Sequence, residues 1–254
     1  MTTTITITTT IKTMVHISMR NGLHGVHPFP FLRLQAWLSP IFPTGSYSYS
    51  HGLEWAVEAG CVRDRVSLVD WLAADLRYGS GRNEAIFFRE AWISATLNDE
   101  PRLLEIAELA AAFRGTSEFA LESAQQASAY YATLSRIWPD PLLNEIAETL
   151  ADLRIALSVS VVLGVRCARE DIPLVLALPA FLQSYIANLV TAGVRLIPLG
   201  QTDGQAAIAA LEDSVLAVSA DAATSTIDEL GSAAFMVDLA SMSHETQYTR
   251  LFRS

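Results

Sequence analysis

Charged side chains are scarce in this sequence, and the basic ones are the scarcer kind. Asp, Glu, Lys and Arg make up 17% of the 254 residues, and the formal net charge is −10. Lys and Arg form no run, so the chain lacks the positive surface that nucleic-acid binding requires. An anionic lipid surface would repel the chain for the same reason. We therefore expect neither a nucleic acid nor a membrane among its partners.

Cysteine is also rare, with Cys61 and Cys167 as the only two. Two thiols so far apart in sequence make neither a disulfide framework nor a zinc cluster. Free cysteine is usually buried and behaves as a small apolar residue. We expect two buried thiols, and a reducing cytoplasm as the compartment.

Several motifs of enzymes and cofactor proteins are missing. The sequence has no glycine-rich phosphate loop ending in Lys-Ser or Lys-Thr, and no G-x-G-x-x-G turn for a dinucleotide. It also lacks the paired Glu-x-x-His motifs of di-iron bundles. His51 and Glu54 stand three residues apart on one helix face, where a local hydrogen bond or a capping contact is a simpler explanation than a metal site. We expect no catalytic residues, no cofactor and no metal site.

Apolar residues, in contrast, make up 51% of the chain, which is typical of a folded protein that keeps some apolar surface for partner or subunit contacts. Their spacing follows a helical period, and no strand-like alternation is convincing. Four helix-start signals agree with this: Asp140 before Pro141, Asp64 or Ser67, Thr202 with Gln205, and Thr226 with Glu229. The sequence predicts a single all-α domain with helices near 30–38, 50–60, 64–78, 82–97, 100–113, 117–137, 141–153, 155–169, 173–195, 203–219 and 226–243.

One uncharged segment, residues 172–194, is long enough to cross a membrane. Its two prolines and its polar side chains, including Gln183 and Asn188, would all need internal partners in lipid. A helix buried in the protein core or in a subunit interface explains this segment better than a membrane span does.

The N-terminus is rich in threonine and low in complexity, which is typical of disorder. It lacks the basic stretch and long apolar core of a secretory signal. Its three histidines, at positions 16, 24 and 27, could be read as a loose metal-binding tract, but ordering a mobile segment around a metal is costly. We predict a disordered N-terminal arm over 1–28, a helical domain over 29–243 and a C-terminal tail over 244–254.

Residues 39–60, SPIFPTGSYSYSHGLEWAVEAG, form the first distinctive stretch. Prolines and a glycine make it a turn-rich loop that leads into a helix, whose first turn Ser50 can cap. Ser50 beside His51 could be read as a nucleophile with its base, but no G-x-S-x-G elbow surrounds them. Tyr47 and Tyr49 stand among small residues, as aromatic side chains at protein interfaces often do. This loop is therefore a candidate binding surface.

The C-terminal stretch, SMSHETQYTRLFRS at 241–254, is the second. Tyr248 and Arg250 belong to the residue types that dominate binding hot spots. A solvated tail has little use for Leu251 and Phe252, so this stretch docks either on its own domain or on a partner.

A third stretch, VRLIPLGQTDGQAAIAALE at 194–212, has the pattern of two helices joined by a turn. Arg195 ends the first helix, where it can serve the last carbonyl groups, and Pro198 with Gly200 makes the break. On its own this joint says nothing about function.

Together these stretches resemble the urease accessory protein UreF family, in the right order and over residues from about 30 to 254. LSPIFPTGSYSYSHGLEWAVEAG is similar to the opening motif of that family, AGVRLIPLGQTDGQ to its late central motif, and MSHETQYTRLFRS to its terminal motif. The resemblance implies an all-α homodimer that binds the accessory protein UreD (also called UreH) and the GTPase UreG. The complex would deliver nickel to apo-urease, and the chain would carry out no chemistry of its own.

The resemblance also suggests which residues contact partners. The candidates are His244, Glu245, Gln247, Tyr248, Arg250, Leu251, Phe252 and Arg253 in the tail, and Tyr47, Tyr49 and His51 in the loop. Nickel would be bound by the partners or pass transiently, because only His51 and His244 lie outside the arm. The alternatives are a helical enzyme and a general scaffold, either of them using the loop at 46–54.

Overall fold

The structure, a computed structural model, describes residues 28–254, and this part of the chain contains helices and no strand. The predicted all-α single domain is confirmed. Eleven α-helices follow one another in the described residues, with 3-10 turns at Ser46–Ser48 and Ile227–Glu229: α1 Pro28–Trp37, α2 Leu53–Glu58, α3 Arg65–Tyr78, α4 Ser80–Leu97, α5 Glu100–Ala112, α6 Ser117–Ile137, α7 Pro141–Asp152, α8 Val159–Arg169, α9 Leu174–Leu196, α10 Gln201–Ala222 and α11 Phe235–His244. The arm predicted over 1–28, with its three histidines, lies almost wholly outside the described residues.

Short polar side chains start several of these helices, as the sequence predicts. The Asp64 carboxylate accepts a hydrogen bond from the amide of Ser67 at 2.8 Å, and the Ser67 hydroxyl accepts one from the amide of Asp64 at 3.1 Å. Asp140 accepts from the amide of Leu143 at 2.9 Å, directly before Pro141 at the first helical position. Each contact satisfies an amide group that has no partner inside its own helix.

The predicted capping box at Thr202 is wrong. Thr202 lies inside α10, which begins at Gln201. The Asp203 carboxylate, one residue further on, accepts a hydrogen bond from the amide of Gly200 at 3.3 Å. The N-terminal amide that receives a side-chain partner is therefore that of Gly200, and the partner is Asp203.

The helix predicted over 226–243 is divided in two. The Thr226–Glu229 box does form, with the Thr226 amide 2.8 Å from the carboxylate, but it caps only a 3-10 turn. The chain then leaves helical geometry because its backbone amides bond elsewhere. The amide of Gly231 donates to the Asn83 side chain at 3.2 Å, and the amide of Ala233 donates to the carbonyl of Tyr78 at 2.7 Å.

The centre of the domain is the contact between α4 and α8. Residues 160–168 of α8 are all buried. The helix predicted over 155–169 begins only at Val159, and 155–158 is a loop. A side chain at Gly164 would place its first carbon 2.5 Å from the carbonyl oxygen of Phe88, so glycine permits this close approach of two backbones. The Phe88 ring stacks on Phe181 of α9 with centroids 5.0 Å apart.

Helix α9 contains the uncharged segment. By length and composition it is the one described helix that could cross a membrane, which by itself is weak evidence because core helices pass the same test. In this structure α9 packs against α10, α4 and α2, and Gly193 lies against the side chain of Leu68 in α3. Its buried side chains, such as Leu182 and Ile186, belong to the main hydrophobic core.

The two cysteines differ. Cys167 is buried in α8, where burial raises the pKa of its thiol. Cys61 is exposed in the turn after α2, so the prediction that both thiols are buried is wrong for this one. The turn at Gly60 and Cys61 lies at the surface, and only the following Val62 reaches the core.

Candidate partner-binding surface

The C-terminal segment, residues 244–254, runs back over the loop at 46–51. The amide of Arg253 donates to the carbonyl of Ser48 at 2.8 Å. The amide and the hydroxyl of Ser50 both donate to the carbonyl of Ser254, at 2.7 Å and 2.5 Å. Two stretches from opposite ends of the chain therefore form one structure, and the segment docks on its own domain.

Glu54 of α2 fixes the backbone of this segment. Its carboxylate accepts hydrogen bonds from the amides of Leu251 at 2.6 Å and Phe252 at 2.9 Å. It also lies 3.1 Å from Nε2 of His244, the last residue of α11. Glu54 is buried, and hydrogen bonds to an ionised carboxylate are about twice as strong as neutral ones. One side chain thus joins both ends of the segment to α2.

Glu118 of α6 binds the segment from the other side. Its carboxylate lies 2.8 Å from Nδ1 of the fully buried His244, and it accepts a hydrogen bond from the Arg250 guanidinium at 3.2 Å. Burial raises the pKa of Glu118, although His244 and Arg250 act in the opposite direction. Both ring nitrogens of His244 therefore face a carboxylate, one from α2 and one from α6.

Glu122 and Gln125 lie on the same face of α6 as Glu118, because the three residues are at helical spacing. Glu122 accepts a hydrogen bond from the hydroxyl of Ser254 at 2.9 Å and lies 3.2 Å from Nδ1 of His51. Gln125 accepts hydrogen bonds from Tyr49 and, at 3.5 Å, from Arg253. The polar face of α6 therefore bonds to both the segment and the loop at 46–51.

His51 and the next residue, Gly52, both have a left-handed backbone conformation. Its φ is +57°, and Gly52 follows at +75°. A side-chain carbon at Gly52 would lie 2.8 Å from the amide nitrogen of Ser241 in α11, so only glycine fits there. The expected local contact between His51 and Glu54 is wrong, because the positive φ turns the ring toward α6, where it stacks on Phe119 at 3.9 Å. Glu54 bonds to His244 and the segment instead.

Burial lowers the pKa of His51, but the charge and hydrogen bond of Glu122, together with the charges of Asp75 and Glu84, raise it by more, so the net pKa lies above its usual value. Nε2 of His51 is buried and has no hydrogen-bond partner among residues 28–254. The Ser50 hydroxyl is bonded to Ser254, so in this structure Ser50 and His51 do not form a nucleophile–base pair.

His51 also lines a cavity of about 340 Å³ between α4, α6 and α9. Most other charged groups that line the cavity have a charged or hydrogen-bonded partner; Arg114, for example, forms an ion pair with Glu84. The Tyr185 hydroxyl donates to Asp75 at 2.6 Å, and burial raises the pKa of both groups. Within residues 28–254, no group of three or more His, Cys, Asp or Glu side chains is arranged to hold a metal ion.

The candidate contact residues divide by exposure. The side chains of His244, Phe252, Tyr49 and His51 are buried, while those of Glu245, Tyr248, Arg250, Leu251, Arg253 and Tyr47 are exposed and Gln247 is half-buried. Tyr248 is completely exposed, at 103% of its reference area. The buried members can act on a partner only by holding the segment in place.

Arg195 has a role that the sequence did not reveal. Instead of serving the end of its own helix, its guanidinium lies over the Phe252 ring, 4.3 Å from the centroid, and donates to the carbonyl of Tyr47 at 2.6 Å. It therefore ties the 194–212 joint to both the loop and the segment. No motif marks Glu54, Glu118 or Glu122 as part of the site, although the sequence shows that the last two are spaced to share one face of α6.

Comparison with known proteins identifies the family. The UreF family model matches residues 62–212. The chain belongs to the UreF family. A relative named Urease accessory protein UreF, from Rhodopseudomonas palustris (strain BisB5), is 46% identical over 222 residues, which cover 87% of this chain and 90% of the relative.

Two further UreF relatives agree with this assignment. The protein of that name from Bradyrhizobium diazoefficiens is 45% identical over 87% of this chain and 90% of its own length. The one from Xanthobacter autotrophicus is 44% identical over 89% of this chain and 92% of its own length. The predicted family is therefore confirmed, and the chain is a urease accessory protein by family. The family model ends before the C-terminal segment and begins after the loop.

Proposed function

We propose that this chain is a non-enzymatic adaptor of urease maturation, which bridges UreD (UreH) and the GTPase UreG so that nickel is inserted into apo-urease. The observation that supports this best is the construction of the C-terminal segment. Its backbone is bound by Glu54 and by Ser48, while Tyr248 and Leu251 point away from the body. A segment of this kind offers contact side chains on an ordered frame.

The physical advantage of that frame is entropic. Ordering a free tail on binding costs roughly 1–2 kcal/mol of backbone entropy per residue. In this protein the segment is already ordered by hydrogen bonds to buried carboxylates, so binding a partner adds little of that entropy loss. Tyr248, with a large aromatic ring and two rotatable bonds, can therefore bind with little further loss of freedom.

The two groups of candidate residues take different roles in this proposal. Tyr47, Tyr248, Leu251 and Arg253 contact partners, and Arg250 both contacts a partner and pairs with Glu118. His244, Phe252, Tyr49 and His51 hold the surface together from below. Glu245 and Gln247 lie near the start of the segment, bonded to Ser117 and Glu58.

Nickel, in this proposal, is bound by the partners or passes between them, and the chain works as a homodimer in the cytoplasm. The family of urease accessory proteins and the net charge of −10 support this role, since an acidic surface attracts cationic partners. Calorimetry with nickel on the isolated protein tests the metal part. We expect no sub-micromolar binding, and such binding in a variant without the histidines of 1–27 would contradict the proposal.

Co-purification of the full chain with its cognate UreD and UreG tests the adaptor role. Removal of the whole segment would also remove His244, which is buried between two carboxylates, so a point substitution separates contact from folding better. We expect Tyr248→Ala to lose or weaken one partner. Tyr78→Ala, which removes another exposed tyrosine at the end of α3, should retain both.

The outcomes separate clearly. Loss of one partner in Tyr248→Ala alone agrees with the proposal. Equal recovery of both partners with Tyr248→Ala and with the unmodified chain contradicts the site assignment. Failure of the unmodified chain to recover either partner contradicts the adaptor function itself.

A further inference from the structure

The cavity beside His51 is large enough for a small molecule. Its volume of about 340 Å³ lies within the range of about 300–1,000 Å³ that is common for ligand sites. Gly115 and Ser232, which line one part of it, are exposed, so the cavity is open to solvent there. The partner contacts proposed for the chain do not use this space.

Much of the cavity wall is apolar. Two helices and the start of α6 contribute side chains without any hydrogen-bonding group: Val159 and Leu163 of α8, Phe181 of α9, and Phe113 and Phe119. Small-molecule sites combine walls of this kind with a few placed polar groups, and burial of apolar surface supplies most of the affinity. A ligand of this cavity therefore has an apolar body.

Two basic side chains in the wall have buried nitrogen atoms without a partner. The side chain of His51 is only 9% exposed, and its Nδ1 is paired with Glu122, but its Nε2 has no hydrogen-bond partner among residues 28–254. Arg114 bonds to Glu84 through Nη1, while its Nε and Nη2 are unbonded within the described part of the chain. Buried polar groups are rarely left unbonded, so these atoms indicate a hydrogen-bonding molecule in the cavity.

The unbonded atoms are donors. A guanidinium group has N–H donors and no acceptor. Although burial opposes it, nearby carboxylates, Glu122 foremost, raise the pKa of His51, which favours the ring with an N–H at both nitrogens. The ligand must therefore offer an acceptor.

The charge of the wall argues against an ion as that ligand. Three carboxylates line the cavity, those of Glu84, Glu122 and Asp238, against the two cations His51 and Arg114, which leaves an excess of one negative charge. An anionic ligand would add to this excess inside a partly buried space. An ammonium ligand has no lone pair for the unbonded nitrogens. A neutral acceptor avoids both costs.

A primary amide is a neutral group that matches both signs of charge in the wall. Its carbonyl oxygen accepts hydrogen bonds, and its NH2 group donates them. The Arg114–Glu84 ion pair joins Nη1 to Oε1, so it leaves Nη2 as a donor and the second carboxylate oxygen as an acceptor. The two groups of the ion pair can therefore bond to the two ends of one amide.

We infer that this cavity binds a small neutral molecule with an apolar body and a primary amide group. His51 and Arg114 donate to the carbonyl oxygen, Glu84 accepts from the amide nitrogen, and the apolar body lies against Phe181 and Leu163. The inference is independent of the proposed adaptor function, because it assigns a ligand to a space that partner binding does not use.

Three probes of similar size separate the amide from the two classes of ion: benzamide, benzoate and benzylammonium. Titration calorimetry with the unmodified full chain measures the affinities, and chemical-shift changes of backbone amides locate the bound ring. We expect benzamide to bind with a Kd of about 1 mM or tighter and to shift the amides of Phe113 and Leu163. Benzoate and benzylammonium should bind at least about tenfold more weakly, because the first adds charge and the second lacks an acceptor.

Two variants test the polar contacts. Arg114→Met/Glu84→Gln removes the ion pair as a unit and so leaves no unpaired buried charge. We expect it to weaken benzamide at least about tenfold, and His51→Asn, which removes Nε2, to weaken it several-fold. The matched control is Arg65→Met/Asp203→Asn, which removes an exposed ion pair outside the cavity and should bind benzamide as the unmodified chain does.

The chemical shifts are measured on the unmodified chain, so they decide the location of the site even if the Arg114→Met/Glu84→Gln variant does not fold. Absence of saturable benzamide binding would overturn the inference and mean that the cavity takes up water only. Equal or tighter binding of benzoate or benzylammonium would overturn the ligand class. Shifts confined to amides away from the cavity, or full benzamide affinity in both cavity variants, would overturn the assigned site.

Discussion

The α4–α8 contact and the C-terminal segment are both held in place, but by different forces. Phe87, Phe88 and Gly164 are packed so closely that a side chain at 164 would strike a carbonyl oxygen. The segment depends on Glu54 and Glu118, whose carboxylates receive amide, imidazole and guanidinium groups. One region is held by shape and apolar area, and the other by directed, titratable contacts.

The difference has consequences for stability. Apolar packing contributes to the whole cooperative unit, so damage there lowers the free energy of unfolding of the domain. Contacts at a chain end can open separately, because little other structure depends on them. The interior should therefore respond to substitution globally and the segment locally.

The largest effect is expected in the interior. Phe88→Ala removes a ring that is fully buried and stacked on Phe181, so it should lower the free energy of unfolding by about 3–5 kcal/mol. Denaturant unfolding measures this. Phe88→Leu, which keeps most of the volume, should cost clearly less, and a loss below about 1 kcal/mol in Phe88→Ala would contradict the central position of this contact.

The next effect is local to the segment. Glu54→Ala removes the acceptor for the amides of Leu251 and Phe252, and hydrogen bonds to charged groups contribute about 1.5–3 kcal/mol. We expect opening of the segment to become easier by about 2–3 kcal/mol, visible as faster hydrogen exchange of those amides, with a smaller change in global stability. Glu212→Ala, an exposed glutamate of α10, serves as the control. Unchanged exchange in Glu54→Ala would show that Glu54 does not hold the backbone.

A smaller effect depends on pH. The folded pKa of His51 lies above its unfolded value because of Glu122, with Asp75 and Glu84 adding to the shift. A raised histidine pKa contributes stability that is fully present below about pH 6.5 and is lost as pH rises through the folded pKa. His51→Asn keeps the positive φ, which Asn tolerates, and removes the titration. Its stability deficit against the unmodified chain should shrink with rising pH, and a constant deficit would contradict the charged contact.

The smallest effect on stability is expected at Tyr248. The side chain is fully exposed, so Tyr248→Ala should change the free energy of unfolding by no more than about 0.5 kcal/mol. A change above about 1 kcal/mol, measured by thermal or denaturant unfolding, would mean that the ring packs on the domain in solution. The interface role proposed for this ring would then need a different residue.

Most of the fold follows from local signals in the sequence. Helix starts at Asp64 and Asp140 depend on side chains next to the amides that they satisfy, so the pattern predicts them. The break before α11 could not be predicted, because it arises where Gly231 and Ala233 bond to residues of α4 and α3 that are far away in sequence. Tertiary contacts outweigh helix propensity at that point.

The site was predictable only in outline. The composition of the C-terminal stretch indicated a docking segment, and Tyr248 and Arg250 lie at its surface. Nothing local shows that Glu54 and Glu118 meet His244, because acidic residues on helices are normally solvated. The spacing of Glu118, Glu122 and Gln125 suggests a polar face on α6, but not what covers it. Arg195 was misassigned because its partners lie in two other parts of the chain.

The measurement that tests the account most directly combines binding and exchange in the Glu54→Ala variant. Affinity for UreD and UreG would be measured together with hydrogen exchange of Leu251 and Phe252, next to Tyr248→Ala. We expect both variants to lose affinity for the same partner and only Glu54→Ala to release the segment. Full affinity in Glu54→Ala, with the segment demonstrably released, would contradict the claim that a backbone fixed by buried carboxylates creates the binding surface.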